Sequence, residues 1–147
     1  MKKYLVFLGW LLVSPLSLPA QEIQATAVPV AVKNALKAKF PSATDIDWKK
    51  VGSQYKASFD LGKADYDAVF TASGQLRSHD YDIAYADLPA AVKTAVANQF
   101  PAYHPDGADK QEANGRVTYK VELDGTPDLK VILSADGKVL RKMTDTD

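Results

Sequence analysis

VPVAVKNALKAKFP, residues 28–41, returns sixty positions later as LPAAVKTAVANQFP, residues 88–101, with Pro, Ala, Val, Lys, Ala, Phe and Pro at matched places. A unit that recurs at fixed spacing sets the architecture before any single side chain is interpreted, because each copy must be a supersecondary unit with its own apolar face to bury. Both copies open on a proline, Pro29 and Pro89, which suits the first helical turn because its missing N–H would have no partner there. Both end on Phe-Pro, at Phe40-Pro41 and Phe100-Pro101, where the proline turns the preceding residue away from helical backbone. Between these bounds Val28, Val32, Ala35, Leu36 and Phe40 recur at three- and four-residue spacing, as do Leu88, Val92, Ala95, Val96 and Phe100. Each helix therefore carries one apolar stripe.

After each helix the period falls to two. Tyr55, Ala57, Phe59 and Leu61 alternate with Lys56, Ser58 and Asp60, and Val117, Tyr119, Val121 and Leu123 alternate with Thr118, Lys120 and Glu122. This pattern predicts strands with one buried face. Further strands are expected over 64–72 and 128–134, hairpin turns at ASG 72–74 and ADG 135–137, and last strands near 75–83 and 138–143. A strand over 45–51 and a weaker counterpart over 107–113 complete each set. A sheet with one apolar face needs a cover and a striped helix needs a floor. The expected fold is thus α+β, two tandem repeats, each one helix packed on a four-stranded antiparallel sheet. The expected layout is a signal peptide over 1–20, a polar leader over 21–27, repeats over 28–83 and 88–145, and a linker over 84–87.

The N-terminus reads MKKYLVFLGWLLVSPLSLPA, with Lys2 and Lys3 ahead of an apolar run from Tyr4 to Val13 and a small residue, Ala20, at its end. That is the form of a secretory signal peptide. The run is short of the roughly 20 residues that a ~30 Å bilayer core requires, so no stable membrane anchor is expected. Cleavage after Ala20 leaves 16 basic against 18 acidic residues, a formal charge of −2, and a protein that is periplasmic or secreted. Lysines interleave with aspartates and glutamates, which argues against a nucleic-acid partner, since that needs a basic face able to release several counterions. No cysteine is present, so neither disulfides nor thiol chemistry enter.

Two histidines, His79 and His104, no cysteine and no Gly-x-Ser-x-Gly elbow leave nucleophilic catalysis without most of its parts. No enzyme and no cofactor are expected. The acidic set Asp45, Asp47, Asp60, Asp65, Asp67, Asp80 and Asp82 is the densest feature of the first repeat, and alternation puts Asp45, Asp47, Asp60, Asp65 and Asp67 on the polar sheet face. Two readings stand: an electrostatic surface for a basic partner segment, or a calcium or small-ligand site, although the spacing matches no EF-hand loop. Among the aromatics, Trp48, Tyr81, Tyr85 and Tyr103 are candidate partner anchors. Core packing is the alternative for Trp48, and joining the two repeats is the alternative for Tyr81 and Tyr85. The candidate partner-binding set is therefore Trp48, Tyr81, Tyr85, Tyr103, Asp45, Asp47, Asp65 and Asp67, with no metal ligands assigned.

The combination of Pro29, Ala31, Val32, Phe40, Pro41, Tyr55 and Gly74, matched by Pro89, Ala91, Val92, Phe100, Pro101, Tyr119, Asp136 and Gly137, resembles the PepSY-like, β-lactamase-inhibitor-like repeat of exported bacterial proteins. The resemblance spans Val28 to Arg141. It implies a periplasmic, non-enzymatic protein of two tandem modules, similar in topology to the inhibitor that clasps β-lactamases with exposed sheet faces. Related modules in protease propeptides restrain the enzyme, so the resemblance also implies an exported protein or peptide as partner. The inhibitor's modules are longer and disulfide-bonded, whereas this chain has no cysteine.

Overall fold

In a computed structural model that describes residues 19–145, the elements follow one another as β1 (Gln21–Ile23), α1 (Val30–Lys39), β2 (Thr44–Val51), β3 (Gln54–Leu61), β4 (Ala64–Thr71), β5 (Leu76–Ile83), α2 (Ala90–Gln99), β6 (His104–Ala113), β7 (Arg116–Asp124), β8 (Leu129–Ser134) and β9 (Val139–Thr144). A short 3-10 helix precedes each α-helix, at Ala25–Ala27 and Tyr85–Asp87. The expected signal peptide, apart from its last two positions, lies outside the described residues.

The expectation of two repeats, each a helix on its own four-stranded sheet, is overturned. All nine strands form one antiparallel sheet in sequence order, and strands dominate over two helices of ten residues each. The joint is β5–β6, where Ser78–Ile83 runs opposite Ala108–Ala113. Two separate sheets would each have left the backbone groups of a long outer strand without partners, and pairing those strands removes both edges. At the other end the expected leader supplies β1, whose Ile23 lies opposite Trp48 of β2.

Both helices cover the same face. Residues paired across antiparallel strands share a side of the sheet. The row Phe59, Tyr66, Tyr81, Lys110, Tyr119, Leu133 crosses from β3 to β8 without changing sides. Its first members belong to or pack against a core built by Val32, Leu36, Phe40, Trp48 and Phe70. Its last members belong to a second core built by Val92, Val96, Val121, Leu123 and Val131. The opposite face is left without a helical roof.

The stripes read from the sequence are the ones that dock: Val32 and Leu36 of α1, and Val92 and Val96 of α2, are buried. Each helix ends where Phe40 or Phe100 donates its N–H to the carbonyl of Leu36 or Val96, at 2.8 and 2.9 Å. Gly74 and Gly137 close the β4–β5 and β8–β9 turns with φ of +89° and +87°, a region that side chains disfavour. A Cβ at either would stand 2.6 Å from the Ala31 carbonyl oxygen or 2.5 Å from that of Ala91. These turns thus hold the first turn of each helix against the sheet by close backbone approach.

Candidate functional site

Alternation along the strands sends the acidic side chains to the unroofed face. There Asp60 lies opposite Asp65, Asp67 opposite Asp80, and Asp82 opposite Asp109, so the register brings carboxylates of β3, β4, β5 and β6 into one band across the middle of the sheet. Two lysines enter it. Lys56 pairs with Asp67 at 2.6 Å, where Ser58 Oγ also donates at 2.5 Å, and Lys120 pairs with Asp109. Among the described residues Asp45, Asp47, Asp60, Asp65, Asp80 and Asp82 form no ion pair.

Crowded carboxylates hold their protons more tightly. Asp82 is pushed up to about 6, first by sharing a hydrogen bond with the Asp109 carboxyl, then by burial and by the charges of Asp109 and Asp65, against the pull of Lys120. Burial raises Asp80, and Asp67 adds to the effect while Lys56 opposes it. Asp60 is raised too, by desolvation and then by Asp65 and Asp45. The band attracts cationic groups and is short of them. Among the described residues, no group of three or more histidine, aspartate or glutamate side chains is arranged to hold a metal ion.

The eight residues singled out from the sequence divide between the two faces. Asp47, Asp65 and Asp67 lie on the unroofed face, and Asp45, at a φ of +51° in the irregular start of β2, stands beside Asp60. For Trp48, of the two readings, partner anchor or core packing, the structure has the second. It is 6% exposed, packed in the first core, and points away from its neighbour Asp47 because successive strand residues alternate sides. Tyr81 lies on the helix side between the two cores, stacked on Tyr66 with ring centroids 4.6 Å apart. Tyr85 and Tyr103 pack against the second core. The sequence reading missed Asp109. Its stretch is weakly patterned, and only the β5–β6 register sets it opposite Asp82.

Known proteins agree with this architecture. The family described as "Putative beta-lactamase-inhibitor-like, PepSY-like" matches residues 16–77 and 53–141. Among solved structures, one from Bacteroides eggerthii, described as "putative periplasmic proteins", superposes with a TM-score of 0.74 at 22% identity, over 80% of this chain and 88% of that one. A BLIP-like protein from Bacteroides fragilis superposes with a TM-score of 0.70 at 22% identity, over 80% of this chain and 86% of that one. No functionally curated protein matches the sequence. No helix among the described residues is long and apolar enough to cross a membrane.

Proposed function

We propose that this chain, which belongs to the beta-lactamase-inhibitor-like, PepSY-like family, is a non-enzymatic periplasmic binding module that meets an exported protein or peptide with the unroofed face of its sheet. The carboxylate band carries this reading. A wide polar face with unpaired aspartates at its centre complements a basic partner segment, and complementary charge contributes specificity and speed of encounter. Where that segment borders the active site of an exported peptidase, the same contact inhibits. The apolar N-terminus and the description of the Bacteroides eggerthii neighbour support the periplasmic address.

The test is capture of an exported partner on immobilised protein from a periplasmic extract. Asp65→Lys/Asp82→Lys should abolish capture, and raised salt should weaken it. Val30→Glu, on the helix side where Val30 is 66% exposed, should leave it intact. A partner retained by the doubly reversed variant would remove the acidic face from the account.

A further inference from the structure

Two small-residue ends that suit export cleavage follow the apolar N-terminal run: Ala20, and Ala27 in the triplet Ala25-Thr26-Ala27. The fold distinguishes them. Pro19 and Ala20 are exposed and precede every strand, whereas Gln21–Ile23 form β1, opposite Trp48–Lys50. Ile23 packs against the first core across from Trp48. Residues 25–27 make the 3-10 turn that leads into α1, with the Ala27 N–H donating to the Gln24 carbonyl at 2.9 Å and the Val28 N–H to that of Ala25 at 3.2 Å. Cleavage after Ala27 would strip the sheet of its first strand and leave β2 as a long unpaired edge. Cleavage after Ala20 removes nothing that the sheet uses, and it makes Gln21 the first residue.

Glutamine is reactive in that position, because its own α-nitrogen reaches the side-chain carbonyl carbon Cδ through an unstrained five-membered ring. We propose that the exported protein begins with pyroglutamate, formed in the cell from Gln21 after cleavage. The uncharged α-nitrogen attacks Cδ, an N–Cδ bond forms and the Cδ–Nε2 bond breaks. A proton passes from the attacking nitrogen to the departing one, which leaves as ammonia. The step consumes no oxidant, reductant or second substrate, and a cyclising enzyme only speeds it. Gln21 is exposed at the end of an edge strand, where such an enzyme reaches it. It lies opposite Lys50, whose ammonium stands 5.9 Å from the centre of the Tyr55 ring, and its neighbour Glu22 lies opposite Lys49. A linear N-terminus, with a pKa of about 8, would set a second ammonium across from Lys50 at neutral pH, and like charges directly opposite on paired strands repel. The lactam has no charge and keeps one N–H. It also offers no free amine to an aminopeptidase, so β1 keeps its place beside Trp48. Export is its premise, as it is of the proposed function.

The test is the mass of the N-terminal fragment of protein taken from the periplasm of its own organism. The fragment should begin at Gln21, weigh one ammonia less than the linear peptide, and resist aminopeptidase until the ring is removed by pyroglutamate aminopeptidase. A control chain of the same mature sequence, freed from a fusion just before the same handling, should stay linear; equal cyclisation in the control overturns modification in the cell. A chain that begins at Gln21 at full mass overturns the cyclisation and leaves export standing. One that begins at Val28 overturns the choice of Ala20, and one that keeps residues 1–20 overturns export itself; in either case no ring forms. Gln21→Asn, whose shorter side chain would need a four-membered ring, should stay linear and be trimmed by aminopeptidase. Trp48 is the only tryptophan left once Trp10 departs with the signal peptide, and its emission should shift to the red in the trimmed variant and stay unchanged in the native protein. Unshifted emission after trimming past Ile23 would overturn the protective role of the ring.

Discussion

The two halves of the sheet share a backbone plan and fill it differently. The first core is aromatic, with Phe40, Trp48, Phe59 and Phe70 buried; the second is aliphatic, with Val96, Val121, Leu123, Val131 and Leu133 in its interior and only Tyr119 as a buried ring. Phe70 lies opposite Tyr55 as Leu133 lies opposite Tyr119, so one position holds a ring in one half and a branched chain in the other. Matched helices with matched caps are compatible with both, because packing requires that volume be filled and sets no particular residue to fill it. The backbone plan is thus common property, and what each half offers at its surface follows from which side chains do the filling.

Exchanging fillers is the strongest way to break the comparison. Phe70→Ala should destabilise by about 3–5 kcal/mol and Leu133→Ala by about 2–5 kcal/mol, both read by chemical denaturation. Phe40→Ala should cost about 3–5 kcal/mol, since its ring touches those of Phe59, Tyr66 and His79 at 5.0, 6.0 and 5.7 Å. Phe100, partly exposed where Phe40 is buried, should cost somewhat less than Phe40 when truncated, in proportion to the smaller apolar area it removes from water. Equal losses at the two phenylalanines would show that the first core gains nothing from its rings.

The turn glycines test the plan itself. Gly74→Ala and Gly137→Ala should each destabilise by about 2–3 kcal/mol, and by the same amount, because both combine a positive φ with a carbonyl in the way. A large difference would mean that the helices are held differently. The seam between the halves responds to pH. Asp82 has a folded-state pKa of about 6, above the roughly 3.9 of an unfolded aspartate, so the native state binds this proton more tightly. Its contribution is present in full below about pH 4 and is lost as pH rises through about 6. Asp82→Asn should flatten the denaturation midpoint across that window, and an unchanged slope would remove the Asp82–Asp109 pair as its cause. Smallest is the half-buried, solvent-accessible pair of the first half: Lys56→Gln should cost about 1 kcal/mol or less, and less still in high salt.

Helix limits were legible because prolines mark both ends of both helices, and β3 and β7 because their apolar residues alternate cleanly. The joining of the sheets was not. On β5 the helix-side residues His79 and Tyr81 and the other side's Ser78, Asp80 and Asp82 leave Ile83, at its last position, as the one aliphatic residue paired with β6, too little of a pattern to announce which strand lies next to it. The placement of Trp48 depended on partners as well. It sits opposite Ala57, which sits opposite Ala68, and two small residues across the sheet leave the space that its indole occupies. The aspartates could be assigned to a face by alternation alone, but the band they form needed the register of four strands.

A ribbon of nine strands joined in sequence order has eight junctions. Neighbouring strands in sheets rotate by roughly 20–25° each, so the outermost strands of such a ribbon differ in direction by about 160–200°. The uncovered surface therefore winds like a propeller blade, and the stretch near β2 looks in a different direction from the stretch near β8. A rigid, flat molecule can rest on only a few neighbouring strands at a time, whereas a flexible segment can follow the winding from one end to the other.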